Sequence, residues 1–401
     1  MTDDAQALGR RVAQARKRRG LSQRELARLL DRSETWLSQV ERGVRKIDRM
    51  SVLERVAAVL EVPLAELAPD RPVVAATHER PAPAVDLTLA LSSSNALTAV
   101  LAERSSANLQ ELTGSVDRAW SLVHAAEYER VSELLMRLLP ALEFAARASN
   151  GEVQRAAYAT LARAYHACAS VLSKLGEPSA ACVSADRAIA AAERSGDALL
   201  MAEGAFRLAL VFQSARFYDQ VIQTASTAVD ALSGRVDARD PAAISLSGSL
   251  LMQMAITDAR RNNADQAYAH LAEAERLGQV LGADRNDYGT EFGPANVTLH
   301  QVTVAVELGD AGRALRIASG FDSSGLSPER RSRYQLELAR AHAQRRDAPA
   351  AVAAIHEALQ IAPELVVGHP TVHALLTDLL RTESGQATEV RDLARRVGMT
   401  P

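Results

Sequence analysis

The feature that most constrains the fold is a short, separately punctuated helix near the start of the chain, within residues 33–43. Ser33 is a favourable N-cap residue, and Gly43 is typical of the left-handed residue that ends a helix. Between them, Leu37 and Val40 lie three residues apart and therefore share one face. The opposite face carries hydrogen-bonding side chains: Glu34, Thr35, Ser38, Gln39 and Arg42. Such side chains can read base edges in a DNA major groove, and a solvated helix face is the alternative interpretation.

The residues just before this helix predict a second short helix. Ser22 and Glu25 have the spacing of a capping box, which indicates a helix that begins at Gln23 and continues through Leu26 to Leu30. Only a short turn separates that helix from Ser33. Two short helices joined in this way form a helix-turn-helix, in which the first crosses the phosphate backbone of DNA and the second enters the groove.

This part of the chain resembles the Xre family of phage Cro/repressor-like DNA-binding domains. The resemblance covers roughly residues 7–68 and is carried by Gly20-Leu21-Ser22-Gln23, Glu25-Leu26-Ala27 and Ser38-Gln39-Val40-Glu41-Arg42-Gly43. It implies a five-helix, lambda-repressor-like domain over residues 1–68 that binds a double-stranded DNA operator. The residues expected to contact DNA are Gln23, Ser33, Glu34, Thr35, Trp36, Ser38, Gln39, Arg42, Arg45 and Lys46.

Three residues of this domain have a more specific interpretation. The resemblance implies that Arg16 and Glu41 form a buried structural ion pair, which fixes the first helix against the end of the recognition helix. Trp36 is open to two interpretations, because its indole ring is suited either to contact with DNA or to covering the edge of the core. We expect the core itself to contain Val12, Leu26, Leu30, Leu37, Val40, Val56 and Leu60.

The charge distribution supports DNA binding better than the net charge of −3 does. Residues 1–68 contain 14 Arg and Lys against 10 Asp and Glu, whereas residues 69–401 contain 32 against 39. A basic N-terminal domain on an acidic remainder is suited to a protein that meets phosphate through that domain alone.

Residues 69–94 differ in composition from the rest of the chain. Pro69, Pro72, Pro81 and Pro83 interrupt a stretch rich in Ala and Val that ends in three serines. Residues that precede proline are biased away from helix, so the stretch predicts an extended, semi-flexible linker between separately mobile domains. The fold class is all-α, because 47% of residues are hydrophobic and only 4% aromatic, a balance typical of Ala/Leu-rich helices.

Residues 95–401 show a repeated pattern of paired helices. Six turns are each followed by a small or β-branched residue at the start of a second helix and by another apolar residue seven positions later: Val131 and Leu138, Ala181 and Ala188, Val221 and Ala228, Ala267 and Ala274, Ala314 and Phe321, and Ala351 and Ala358. About midway lie Leu135, Ala185, Ala225, Leu271, Ala318 and Ile355. Small residues there allow antiparallel helices to approach closely. The pattern resembles tetratricopeptide (TPR) repeats, although the units lie 37 to 50 residues apart against about 34 in the family.

A TPR-like solenoid lines its concave face with the first helix of each pair. Side chains expected there are Trp120, His166, Ser170, Phe206, Gln213, Met252, Asn296, Thr303, Arg333 and Arg340. A groove of that composition is suited to a peptide or small-molecule effector, or to a protein partner. The joint resemblance to Xre and TPR regulators predicts a ligand-responsive transcriptional regulator that acts as a homodimer. A DNA-tethered adaptor that docks a protein partner is the alternative.

The sequence gives no support to an enzyme, a metal site or a cofactor. None of the three lysines follows a glycine, so a phosphate-binding P-loop is excluded, and the zinc-protease and nucleophile-elbow motifs do not occur. We also expect a cytoplasmic protein, since no apolar run of membrane-spanning length and no signal peptide occurs. Cys168 and Cys182 are expected to be small hydrophobic residues and receive no role.

Overall fold

The computed structural model describes residues 3–47, 50–62, 64–67, 82–91, 108–367, 369–381 and 387–399. In this part of the chain the structure consists of α-helices and one short 3-10 helix, without a β-strand. The all-α prediction is confirmed. We call the described residues between 3 and 67 the head, and those between 82 and 399 the body.

The head contains five helices, as the sequence predicts. They are α1 (Asp3–Arg18), α2 (Gln23–Leu29), α3 (Glu34–Glu41), α4 (Met50–Leu60) and α5 (Leu64–Leu67). The seven residues expected in the core are all buried. Gly9 permits the close approach of α1 to α3, because a Cβ atom at this position would lie 2.4 Å from the Val40 carbonyl oxygen.

Local capping determines where the two short helices begin. The Glu25 backbone N–H donates to Ser22 Oγ at 3.2 Å, and the Ser22 N–H donates to the Glu25 carboxylate at 2.8 Å, which completes the predicted capping box. Ser33 Oγ accepts the Trp36 N–H at 3.1 Å. Gly43 follows α3 with φ of +71°, the left-handed conformation expected there.

The body is an array of six antiparallel helix pairs. The pairs are α7 (Leu109–Ala125) with α8 (Tyr128–Ala148), α9 (Gly151–Lys174) with α10 (Pro178–Ser195), α11 (Ala198–Ser214) with α12 (Tyr218–Asp237), α13 (Pro241–Arg260) with α14 (Ala264–Leu281), α15 (Pro294–Glu307) with α16 (Ala311–Ala318), and α17 (Pro328–Gln344) with α18 (Ala348–Ile361). Of the eighteen pattern residues, all but Ala318 and Phe321 are buried. Those two are half-buried, because α16 is only eight residues long.

The expected linker is in part a helix of the body. Residues 82–90 form α6 (Ala82–Ala90), which packs against α8 and buries Ala84, Leu87 and the following Leu91. The prediction of an extended stretch is wrong here, because proline is tolerated in the first turn of a helix, where Pro83 lies. The other linker residues, 69–81 and 92–94, lie outside the described residues.

The body closes on itself. Three further helices, α19 (Pro363–Val366), α20 (Pro370–Arg381) and α21 (Ala387–Arg396), contribute to the same hydrophobic core as α6 to α10. Helix α17 contacts α7, and Lys174 Nζ at the end of α9 lies 2.9 Å from Glu329 Oε1 on α17. The first and last helix pairs are therefore neighbours, and the polar faces of the first helices point into a closed interior.

The head packs directly on the body. Gln14 Nε2 on α1 donates to the carbonyl oxygens of Ala259 and Arg260 at 2.9 and 2.7 Å, and Gln344 Nε2 on α17 donates to the Arg18 carbonyl oxygen at 2.8 Å. Gly20 has φ of +67°, and a Cβ atom there would lie 2.5 Å from the Gln344 Cα atom. The expectation of separately mobile domains is corrected by these contacts, which the linker composition gave no means to foresee.

Candidate functional site

Helix α3 presents a polar face to solvent. Burial of Leu37 and Val40 against the head core fixes the rotation of the helix. Thr35 and Arg42 are exposed on the other side, and Gln39 between them is half-buried. Glu34 is exposed and Ser38 half-buried. These five side chains lie where a partner can reach them without any change in the fold.

A hydrogen-bonded ion pair holds the end of α3 against α1. Arg16 Nε lies 2.6 Å from Glu41 Oε1, and Arg16 Nη2 lies 3.1 Å from Glu41 Oε2. Arg16 also donates to the Leu21 carbonyl oxygen at 2.7 Å. Gln23 Nε2 donates to Glu41 Oε2 at 2.7 Å, so its amide group is engaged within the head. Glu41 therefore ties α1, α2 and α3 together, and Gln23 has a structural contact in addition to its expected place at DNA.

The remaining candidate contacts surround α3. Ser33 is exposed, although its hydroxyl oxygen caps the helix. Trp36 is half-buried against the head core, with the Arg32 guanidinium 5.7 Å from its ring centroid. Arg45 and Lys46 follow the helix and are exposed. Ser33, Trp36, Arg45 and Lys46 thus lie next to the polar face of α3, and Arg45 and Lys46 form no ion pair with another described residue.

Comparison with known protein families agrees with this geometry. Residues 7–69 match the family described as Helix-turn-helix domain. The head is a helix-turn-helix domain. This assignment supports a DNA-binding regulator rather than an enzyme. Searches of curated proteins and of solved structures give no match for the chain.

The residues of the body that were expected to line an effector groove do not lie in an open groove. Most of the side chains are buried, namely Trp120, His166, Ser170, Phe206, Gln213, Met252, Asn296 and Thr303. Arg340 is engaged with Glu307 and Glu337, and Arg333 with Glu329. The open groove is a wrong expectation, because closure of the body turns the concave face into an interior that internal contacts fill.

A cavity opens beside this interior. It has a volume of about 350 Å³ and is lined by Trp120, Arg163, Glu203 and residues 286–289. Of the expected effector residues, Trp120 alone lines this cavity. The Arg207 guanidinium lies 4.6 Å from the Trp120 ring centroid, beside the cavity.

A loop crosses the interior and forms one wall of the cavity. We call residues 283–293, between α14 and α15, the interior loop. Arg207 Nη2 donates to the carbonyl oxygens of Tyr288 and Gly289 at 2.9 and 3.1 Å. Glu291 of the loop lies 3.0 Å from His124 Nδ1 on α7 and 3.3 Å from Arg330 Nε on α17. The loop therefore joins the first helix pair to the last.

Burial and charge shift the pKa values of groups around the cavity. Burial raises the pKa of Glu203 to about 7, although Arg207 Nη2 lies 3.1 Å from its carboxylate and opposes the shift. Burial lowers the pKa of His166 to about 3, and the positive charge of Arg207 contributes to that change. His124 and Arg330 hold the pKa of Glu291 at about 2 against the effect of burial. Of these groups only Glu203 lines the cavity, and burial raises its pKa toward neutrality.

Sequence reasoning missed Glu203, Arg207 and the interior loop. A signal was present, because Glu203 and Arg207 are the only charged residues of α11 and lie four residues apart on an otherwise apolar helix. The loop also separates the fourth and fifth helix pairs by more residues than an ordinary turn needs. Neither signal reveals that Arg207 contacts the interior loop, since this contact depends on closure of the body.

Two further properties of the described residues bear on other classes of function. No group of three or more His, Cys, Asp or Glu side chains in them is arranged to hold a metal ion. In the same residues, no helix has both the length and the apolar character to cross a membrane. Cys168 is buried, which raises the pKa of its thiol to about 12, and Cys182 is half-buried.

Proposed function

We propose that this protein is a ligand-responsive transcriptional regulator whose head binds a double-stranded DNA operator. The exposed polar face of α3, held on a helix-turn-helix scaffold, carries the proposal. Thr35, Ser38 and Gln39 are assigned to base edges in the major groove, and Arg45 and Lys46 to the phosphate backbone. The resemblance to Xre domains supports the same division of roles.

A homodimer follows from the small size of this surface. One head offers only a few base-reading side chains, so useful specificity requires two heads on half-sites about 34–36 Å apart. We assign dimerisation to the TPR-like body. One face of the head is assigned to DNA, and another face of the head packs against the body.

We assign effector binding to the cavity beside Trp120 and the interior loop. A volume of about 350 Å³ falls at the small end of ligand sites, which typically measure about 300–1,000 Å³. The cavity therefore favours a small molecule over an extended peptide or a protein segment. The adaptor alternative has no corresponding support, since the concave face on which it depends is filled.

The effector has a direct route to the head through α15. The interior loop leads into this helix at Pro294, and Asn296 Nδ2 donates to the Glu291 carbonyl oxygen at 2.8 Å. The helix ends at Glu307, whose carboxylate lies 3.7 Å from Arg18 of the head. Displacement of the loop by a ligand would bias the position of α15 and therefore of the head.

Selection of binding sites from a random duplex pool with the full-length chain tests the operator assignment. We expect enrichment of a site with two half-sites about one helical turn apart. Enrichment of no sequence would contradict the proposal, because a face with base-reading side chains must discriminate among bases.

The two tryptophans allow a test of the effector site. In the Trp36→Phe variant, Trp120 is the sole remaining Trp and reports on the cavity. Small-molecule fractions of a cell extract that change its emission are then tested on operator affinity, where a coupling of roughly 1–3 kcal/mol is expected. A ligand that changes operator affinity but leaves Trp120 emission unchanged would place the effector site elsewhere.

A further inference from the structure

A groove lies at the junction of the head and the body, away from the interior cavity. Its volume is about 420 Å³, and its lining includes Lys17 and Gly20 from the head and Gly309, Gly312, Gln344 and Arg345 from the body. The wall is close-fitting, because a Cβ atom at Gly309 would lie 3.3 Å from the Lys17 Cβ atom. Both parts of the molecule thus contribute to one concave surface.

Unpaired positive charge converges on this groove. A Cβ atom at Gly312 would lie 3.4 Å from Arg316 Nη1, 3.6 Å from Arg345 Nη1 and 3.7 Å from Asp310 Oδ1, so two guanidinium groups and one carboxylate reach the same wall. Lys17, Arg316 and Arg345 are exposed, and none of them forms an ion pair with another described residue. The carboxylate of Asp310, which also lines the groove, accepts the Arg313 backbone N–H at 2.9 Å and caps α16. The groove is therefore suited to an anion.

The groove adjoins the edge of the head that the proposed function places at the DNA backbone. It borders the turn between α1 and α2, and Arg346 of the body lies 2.5 Å from Glu25 on the first turn of α2. In a helix-turn-helix the helix before the recognition helix crosses the phosphate backbone. Here that helix is α2, whose Gln23 contacts Glu41 at the end of α3. The DNA backbone that flanks the recognised bases would therefore run from α2 toward the groove.

We propose that the groove binds backbone phosphates of the operator, so that the body extends the DNA contact of the head. This inference rests on the proposed function, because the DNA must first be positioned by α3. Lys17, Arg316 and Arg345 supply the cations, and Gly20 and Gly309 allow the head and the body to approach closely enough to share the groove. Contacts of this kind position the protein on DNA without reading its sequence.

The test compares two double variants of the full-length chain. Arg316→Ala with Arg345→Ala removes two cations of the groove. Arg118→Ala with Arg137→Ala removes two exposed arginines of α7 and α8 that form no ion pair with another described residue. Affinity is measured against salt concentration on the selected operator with extended flanks and on the same operator trimmed to its half-sites. Because all four side chains are exposed, unchanged melting temperatures are expected.

On the flanked duplex we expect the groove variant to bind at least about tenfold more weakly at low salt, with the salt slope reduced by about 1.8 for two lost phosphate contacts. Its base preference should be unchanged, and the trimmed duplex should show little difference from the wild type. Equal losses in the two double variants would overturn the inference alone. Failure of the unmodified chain to bind any duplex would overturn the proposed function and the inference together.

Discussion

The head and the body both carry rows of polar side chains on their helices, but those of the head are exposed and those of the body are buried. On α3 of the head, Thr35 and Arg42 face solvent. On the first helices of the body, His166 and Asn296 are fully buried and Glu203 nearly so. The exposed face of α3 is accessible to a large partner such as DNA. The interior of the body is accessible only to a molecule that fits the cavity or that opens the interior.

Burial of polar side chains has a free-energy cost that other interactions in the body must offset. Buried polar and charged groups are tolerated only when they find partners, and breaking a buried pair destabilises a protein far more than changing an exposed charge does. The body offsets burial with ion pairs such as Glu203 with Arg207 and Glu307 with Arg260 and Arg340. Its stability should therefore depend on individual charges, while the polar face of the head should tolerate substitution.

The largest expected effect comes from Glu307, the carboxylate shared by the body and the head. Its side chain is 4% exposed and lies 3.2 Å from Arg260, 3.3 Å from Arg340 and 3.7 Å from Arg18. Glu307→Gln leaves these guanidinium groups without their common anion, so the free energy of unfolding should fall by about 3–5 kcal/mol. Urea unfolding followed by circular dichroism measures the change.

Glu133→Gln is the matched control, since Glu133 is exposed on α8 and forms no ion pair within the described residues. Its effect should stay within about 0.5 kcal/mol. If the Glu307 and Glu133 variants lose the same stability, the buried ion-pair network does not contribute to the stability of the body in the way described.

The pH dependence of stability offers a second test of the buried interior. The pKa of His166 is lowered from 6.5 to about 3, so the stability that it contributes is present above pH 6.5 and is lost as pH falls. The pKa of Glu203 is raised from 4.5 to about 7, so its contribution is present below pH 4.5 and is lost as pH rises toward 7. The two groups therefore act in opposite directions between pH 4.5 and 6.5.

Variants separate the two contributions. Glu203→Gln should make the free energy of unfolding fall more steeply on acidification, by roughly 1 kcal/mol per pH unit, and His166→Asn should make it fall less steeply by a similar amount. Urea unfolding of both variants at pH 4.5, 5.5 and 6.5 measures these slopes. Slopes identical to that of the wild-type chain would show that neither group is buried in the way described.

A smaller effect is expected at the head, where it should appear in DNA recognition and not in stability. Gln39→Ala should reduce discrimination between the operator and its single-base variants by roughly 1–3 kcal/mol, because a base contact is lost. Arg45→Ala should instead weaken binding to all duplexes about equally. Competition binding at fixed salt measures both. A uniform loss of affinity in the Gln39 variant would remove Gln39 from the base contacts.

The features that the sequence predicted are those that neighbouring residues determine. The capping box of Ser22 and Glu25 and the cap at Ser33 lie within a few positions of the helices that they start. The small residues of each second helix, such as Ala181 and Ala188, meet the helix immediately before them in the chain. Short-range spacing is enough to specify these contacts.

The features that the sequence did not predict depend on contacts between distant residues. Closure of the body brings Lys174 beside Glu329, and docking of the head brings Gln14 beside Ala259 and Arg260. A repeat pattern gives the packing of each pair but not the summed curvature of six pairs, which decides whether the concave face is open. The same limitation explains why the effector residues were expected in a groove and are found in an interior.

The contrast between an exposed head surface and a closed body interior can be measured with two single-tryptophan variants. Trp120→Phe leaves Trp36 beside α3 as the sole reporter, and Trp36→Phe leaves Trp120, which is 7% exposed. Iodide quenching is recorded with and without the selected operator. We predict that operator DNA protects Trp36 from iodide, whereas Trp120 is already protected and does not change. Protection of Trp120 by operator DNA, with Trp36 unaffected, would contradict the assignment of DNA binding to the head.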